Sequence, residues 1–450
     1  MMEEKILNKV EEKKNEIVEL LQTIIRIPSL TGEEGAAQEF LAAYLKELGM
    51  QADVWEPDIE EIFQLYPESA QYPTHWQHDL ILPYDRFPTY DELIKSGKID
   101  VLNFKKRPNV VGTLKGQGGG KSLLLNGHID NVTIEPIGDW TYDPFGAEVI
   151  ENRIYGRGAC DMKGGLVAAL AAIQCLIETG VSLKGDVIFS SVVNEEHSGC
   201  GALSMICKGI TADAAIVMEP SENQIYIAHP GDVYWQLLVE GIPRSPGARW
   251  QGQEMVGVSA IEKLPSVIQA LLELEEDYNK RSPHPLYAKL KPVSCVLGEI
   301  CGGTYATATA SQCVLKGCVY FSPGLGSVGD IMDDIRNYVE NGTRHDPWFQ
   351  THPVKTAFLR HKNTAVTNKN EPIVKTVSDC VKTVGGNGPL ITAATYGADM
   401  ELFVNLGHIP TIIYGPGSII HAHKPDEFIP INEYMTSVKT LALSIYHWCQ

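Results

Sequence analysis

Four short, almost fully apolar runs each end in polar or acidic residues: "SLLLNGHID" (122–130), "DVIFSSVVNEE" (186–196), "AAIVMEP" (214–220) and "IPTIIYGPG" (409–417). Runs this short, without polar alternation, read as strands buried on both faces. Between the first two lies "GGLVAALAAIQCLIETG" (164–180), an alanine- and leucine-rich helix closed by Gly180. Strands alternating with helices in this way predict an α/β sheet covered by helices. In such sheets sites form at the carboxyl ends of the strands, where the polar residues of these runs stand.

The 450 residues suffice for two or three domains. Residues 3–25 carry a helical apolar stripe, and "EEGAAQEFLAAYLKELG" reads as a second helix capped by Gly49. Residues 55–108 are rich in Pro, Tyr, Trp and Asp without a long period, and read as an insertion or elaborate loop. Residues 231–360 form a block of their own, with strands "DVYWQLLVEG", "PVSCVLGEI" and "QCVLKGCVYFSP" and helices "VSAIEKLPSVIQALLELEEDY" and "VGDIMDDIRNYVEN". The expected organisation is therefore one larger domain, 1–230 and 361–450, interrupted by a small α+β domain.

Composition narrows the function. A formal charge of −19, from 37 basic and 56 acidic residues, argues against nucleic acid or an anionic membrane as partner. No apolar stretch is long enough to span a bilayer, and the charged N-terminus lacks the apolar core of a secretory signal. Ten scattered cysteines without a CxxC pair suggest reduced thiols in a cytoplasm.

Two features are decoys. "GQGGGKS" (116–122) resembles a phosphate loop, but Gly116 stands one residue too close to the Gly-Lys-Ser, and no helix follows. It reads as a hairpin turn with an exposed lysine. Cys313 and Cys318 lie on a strand pattern without a histidine at zinc-finger spacing, and read as buried thiols.

The remaining motifs converge. His128 and Asp130 close one strand, and their i, i+2 spacing points both side chains the same way. Asp161 lies in the glycine-rich bend "GRGACDMKGG" directly before a helix, where a helix cap is the simpler reading. Glu195 and Glu196 are adjacent at the end of the second strand, Glu219 ends the third, and His421 and His423 follow the fourth. Taken together, two imidazoles and several carboxylates make a ligand set for divalent metals. So many carboxylates suit two ions sharing a bridge better than one. They also explain the paired glutamates, one as a ligand and its neighbour as a general base.

"GHIDNV", "GRGACDMKGG", "NEEHSGCGA", "MEPSE" and "GPGSIIHAHKPDE" resemble, in order and spacing, the di-zinc metallopeptidase family of acetylornithine deacetylase, succinyl-diaminopimelate desuccinylase, aminoacylase and glutamate carboxypeptidase. The resemblance covers nearly the whole chain. It implies a zinc-peptidase-like catalytic domain with a mixed sheet, interrupted by a smaller lid through which the chain forms a homodimer. It implies two divalent ions, zinc first and cobalt or manganese as alternatives, with Asp161 bridging them. His128 and Glu219 would complete one site, and Glu196 and His423 the other, with His421 the nearest competitor. Glu195 would be the general base and Asp130 would orient His128. The implied activity is hydrolysis of a C–N bond in a small N-acyl or N-formyl compound. A dipeptidase or carboxypeptidase and a non-catalytic binding homologue are the alternatives.

The lid departs from the family pattern. Ser245 stands where a histidine is usual, Thr307 replaces an asparagine, Ala310 a proline, and Tyr320 an arginine that often holds a substrate carboxylate. These changes imply an altered substrate. Arg244 and Arg249, in the same lengthened loop as Ser245, are candidates to supply the missing contact, from this subunit or its partner.

Overall fold

The computed structural model describes residues 2–74, 82–281, 284–290 and 293–450. Residues 75–81 of the Pro- and aromatic-rich stretch, and Pro292 at the start of the predicted "PVSCVLGEI" strand, lie outside them.

Eight strands form the main sheet, in the spatial order Gln51–Trp55, Asn109–Leu114, Val187–Val192, Leu123–His128, Ala214–Val217, Thr411–Ile413, Ile225–Tyr226 and Ile391–Thr392. The four apolar runs of the sequence are the four adjacent, mutually parallel strands at its centre. Their carboxyl ends therefore open on one edge, with His128 paired opposite Val192 and Asn126 opposite Val217. The pairs on the Gln51–Trp55 side are antiparallel, as is the Ile413–Tyr226 pairing on the other, so the sheet is mixed.

Helix Lys163–Glu178 lies against the strand Leu123–His128 and is covered in turn by helices Lys14–Ile25 and Ile431–Trp448. Its first turn presses on the sheet edge. A Cβ on Gly165 would fall 1.8 Å from the carbonyl oxygen of Met218, so only glycine permits this approach. Asp161, just before the helix, is thereby brought beside Glu219, just after the strand.

A second sheet of four antiparallel strands has the order Ser294–Gly302, Gln312–Phe321, Gly231–Glu240, Lys355–Lys362. Helices Ala260–Lys280 and Val328–Thr343 pack against each other and against this sheet. The last strand runs to Lys362, two residues past the boundary expected at 360, and carries Arg360 and Lys362 toward the main sheet.

Two local expectations need correction. The segment around Gly116–Ser122 is not a hairpin turn, because the strand Val187–Val192 lies between the strands that it connects. The segment instead runs alongside Leu183–Gly185, bonding through the Gln117 and Gly118 amides, and Lys121 sits 4.7 Å from the Trp448 ring centroid. Sequence neighbours were not sheet neighbours. Residues 3–25 form two helices, Met2–Glu12 and Lys14–Ile25, rather than one.

The stretch 55–108 is an excursion between two strands that pair directly, Trp55 opposite Asn109. It contains helices Ile59–Leu65 and Tyr90–Lys95. A buried ion pair fastens it to the main domain. Arg107 reaches Glu34 through Nη2 at 2.7 Å and Nε at 2.8 Å, with both residues almost fully buried. Arg107 also donates to the carbonyl oxygens of Thr74 and Asn103.

Breaking a buried pair leaves a charge unpaired, at a cost of ~3–5 kcal/mol. Arg107→Met should therefore lower the denaturant midpoint by an amount corresponding to a loss of that order. Urea unfolding followed by tryptophan fluorescence checks this, and an unchanged midpoint would contradict it.

Candidate active site

The sequence candidates at the strand ends meet at one place. His128 Nε2 lies 3.2 Å from Asp161 Oδ1, 3.6 Å from Glu219 Oε1 and 3.9 Å from Glu195 Oε2. On the other side of Asp161, His423 Nε2 lies 3.2 Å from Asp161 Oδ2 and 3.1 Å from Glu196 Oε2. Asp161 thus faces one imidazole with each oxygen. Among the described residues, His128, Glu195 and Glu219, and His128, Asp161 and Glu196, form groups compact enough to hold a metal ion. His423 has a side chain 52% exposed and closes the site from the solvent side, whereas the other members are buried. His421 packs instead on Phe428, with ring centroids 4.2 Å apart, and its Nδ1 has no hydrogen-bond partner.

The backbone is fitted to this arrangement. Asn194 and His423 take positive φ, 63° and 57°, a strained conformation for residues other than glycine that is common at functional sites. Glu427 accepts the amides of Cys160 at 2.9 Å and Asp161 at 3.0 Å while paired with Arg157 at 2.5 Å, which fixes the Asp161 bend.

Asp130 works differently from the simplest expectation. Its backbone carbonyl oxygen, not its carboxylate, accepts the bond from His128 Nδ1 at 2.9 Å. The carboxylate, 3.7 Å from Nδ1, accepts the amides of Glu195 at 3.1 Å and Glu196 at 3.3 Å and the Thr31 hydroxyl at 2.8 Å. Asp130 thus ties the loop of the two glutamates to the strand that carries His128.

These contacts decide whether a cation fits. A carbonyl can only accept, so Nδ1 of His128 carries the proton and Nε2 presents a lone pair. That lone pair faces the Asp161 carboxylate at 3.2 Å, a repulsive contact unless a proton or a metal ion lies between them. Without a metal, a proton must fill the role. Burial opposes charge on His128, but the Asp161 hydrogen bond and the Glu219 and Glu195 charges prevail and raise its pKa well above the ordinary imidazole value. The Glu196 charge, opposed by burial, lifts His423 to about 12. Burial pushes Glu219 well up, and the Asp161 charge adds to it. Glu196 Oε1 is buried without a hydrogen-bond partner among the described residues. Excess carboxylate, a free imidazole lone pair and an orphaned oxygen suit divalent cations.

The lid candidates are elsewhere. Arg249 pairs with Glu262, and Arg244 Nη1 donates to its own loop at Pro243 O, 2.8 Å away. Both border a surface cavity of about 640 Å³ with residues 302–310, Thr307 among them. Ser245 is exposed and precedes the short turn Pro246–Ala248. Tyr320 lies on the sheet opposite Asp232 and bonds Tyr234. None of these five is among the groups placed against Asp161, Glu195, Glu196 or Glu219.

Conversely, Lys362 bonds Glu195 Oε1, and Arg360 Nη1 donates to the Glu196 carbonyl oxygen at 3.2 Å. Sequence reasoning did not find either residue. The available signal was "RHK" (360–362), a basic run closing an otherwise partly apolar strand.

A fold of this kind, with imidazoles and carboxylates gathered at the ends of parallel strands, defines a metal-dependent hydrolase. The profile of peptidase family M20/M25/M40 matches residues 124–447, and the chain belongs to that family. It is 29% identical, over 99% of its length and 97% of the relative's, to N-formyl-4-amino-5-aminomethyl-2-methylpyrimidine deformylase of Halalkalibacterium halodurans. It is 27% identical to acetylornithine deacetylase of Pectobacterium carotovorum, over 74% of this chain and 82% of that one. The solved structure of the dipeptidase Dug1p of Saccharomyces cerevisiae superposes with a TM-score of 0.74 at 15% identity, covering 99% and 98% of the two chains. The protein is a metal-dependent amidohydrolase.

If Asp161 serves two ions, Asp161→Ala should lower metal occupancy at both. Elemental analysis of the folded variant measures this, and two tightly held ions in it would contradict a shared ligand.

Proposed function

We propose that the protein removes a formyl or other small acyl group from an amine of the aminomethyl-heterocycle kind, using two divalent ions, zinc foremost, with cobalt or manganese as substitutes. His128, Asp161 and Glu219 would hold one ion, and Asp161, Glu196 and His423 the other. The observation that carries this reading is Asp161 facing His128 with one oxygen and His423 with the other, at 3.2 Å each.

When bound, such ions lower the pKa of a water and polarise the amide carbonyl. Glu195 Oε2 stands beside this cluster and takes the water's proton as the nucleophile attacks. The same carboxyl returns the proton to the nitrogen as the C–N bond breaks, leaving the acid and the free amine. Asp130 holds the Glu195 and Glu196 amides, so the base and its neighbouring ligand keep their places.

The match over nearly the full length of the deformylase relative supports a formyl or short acyl group. So does the lid, where Tyr320 stands bonded to Tyr234 at the position where the family resemblance leads one to expect a carboxylate-binding arginine. A buried base beside the carboxylate cluster favours catalysis over mere binding. A lid edge strand, Ser294–Gly302, with Val296 and Ile300 exposed supports a homodimer through this domain. Ten cysteines without a disulfide support a reducing, cytoplasmic setting.

Two experiments test the reading. Glu195→Gln should keep its metals and lose turnover ~10²–10⁴-fold, the usual worth of a general base, while Glu196→Gln should lose metal first. Identical metal content and activity in the two variants would contradict the division of roles. In mass-spectrometric assays of the metal-loaded protein, an N-formyl aminomethylpyrimidine should be cleaved at least tenfold faster than N-acetylornithine or dipeptides. A preference for dipeptides would favour the peptidase reading instead.

A further inference from the structure

Glu195 has two possible fates in this site. Its Oε2 lies 3.9 Å from His128 Nε2, and Glu219 Oε1 lies 3.6 Å from the same nitrogen. These three residues form one of the two groups, among the described residues, whose ligand atoms are compact enough for an ion. A carboxylate so placed is as well positioned to coordinate as to accept a proton. Once coordinated, it would share its charge with the ion and be a weaker base toward the water. Something in the chain must decide between the two.

The deciding contact is the Lys362 ammonium on Glu195 Oε1. Lys362 is 3% exposed, so solvent does not dilute the pair. It also lies in the field of Asp232 and Asp399, both buried. The strand that delivers it is held from outside the lid. Gln71 clamps the backbone of His361, accepting its amide at 2.9 Å and donating to its carbonyl oxygen at 2.7 Å. The His361 ring is held as well: Nε2 donates to the Glu68 carbonyl oxygen at 3.1 Å, which leaves Nδ1 to accept from the Tyr84 hydroxyl at 2.8 Å. Glu68, Gln71 and Tyr84 all belong to the 55–108 excursion. The residues on either side of His361 then reach the glutamate pair, Lys362 to the side chain of Glu195 and Arg360 to the backbone of Glu196.

We propose that Lys362 is a positioning residue that holds Glu195 as a base and keeps it from becoming a metal ligand, and that the 55–108 excursion locks Lys362 in place through Gln71, Glu68 and Tyr84. The proposal rests on the reading of Glu195 as the general base. It assigns a task to a segment whose composition reads as an insertion or elaborate loop.

The sign of one effect separates this role from simple structural support. Damage to a metal site weakens metal binding, whereas releasing Glu195 as an extra ligand tightens it. The full-length protein is titrated with Zn²⁺ against a chromophoric chelator, and turnover is measured on the best substrate. Lys362→Met should bind Zn²⁺ at least threefold more tightly and lose about 10²-fold in kcat, as expected for a misplaced base. Lys362→Arg should restore both toward wild type. In a Glu195→Gln background, Lys362→Met should change neither quantity by more than about twofold, because residues acting through one group are not additive. If Lys362→Met does not fold, Gln71→Leu, which frees the strand end, should shift both quantities the same way.

Weaker or unchanged Zn²⁺ binding in Lys362→Met, or in Gln71→Leu in its place, would overturn the proposal while leaving an inactive Glu195→Gln to support the base. Effects that persist in full without Glu195 would also overturn it. Full turnover in Glu195→Gln would overturn the base assignment itself, and the proposal with it.

Discussion

The crowding of carboxylates at the edge of the central sheet governs this protein. Asp161, Glu195, Glu196 and Glu219 are all buried and lie around two imidazoles. Buried like charges are costly unless opposite charge is supplied. The fold accepts the cost because parallel strands bring their carboxyl ends to one edge, and helix Lys163–Glu178 approaches closely enough, over Gly165, to add Asp161. Divalent cations held by these residues would remove the repulsion, and the same positive charge would activate water and substrate. Stability of the site and its chemistry therefore have one origin.

Around this centre the charges are shared out in an orderly way. Asp130 spends its carboxylate on the backbone of the glutamate loop and its carbonyl on His128, which sets the imidazole tautomer. Glu427 does the same for the Asp161 bend. Lys362 balances Glu195, the carboxylate proposed as the general base. Each of these partners fixes a neighbouring group, as outer residues of metal sites commonly do.

Much of this was legible in the sequence because the relevant residues are local to strand ends. An uninterrupted apolar run marks a buried strand, and its first polar residues mark the edge, so His128, Glu195, Glu196 and Glu219 could be placed on one rim. Choosing His423 over His421 needed the family pattern, and the structure sets His423 against Asp161 and Glu196. Lys362 was not legible, because it meets Glu195 across 167 positions and through a strand of the other sheet. The turn expected near Gly116–Ser122 was misread for a related reason: pairing order in a sheet is a tertiary fact, and a glycine-rich link looks the same whether or not a strand intervenes. Arg249 was legible as a charged member of the lid loop, but its ion-pair partner within the chain, Glu262, was not.

In the proposed site, Asp161 stands between two ions while Glu195 stands beside them unliganded. Anomalous diffraction from crystals of the zinc-loaded protein, collected on either side of the zinc edge, tests it most directly. Two anomalous peaks are expected, one on the His128 and Glu219 side of Asp161 and one on the Glu196 and His423 side, with Glu195 bonded to Lys362. A single peak, or a peak coordinated by Glu195, would contradict it.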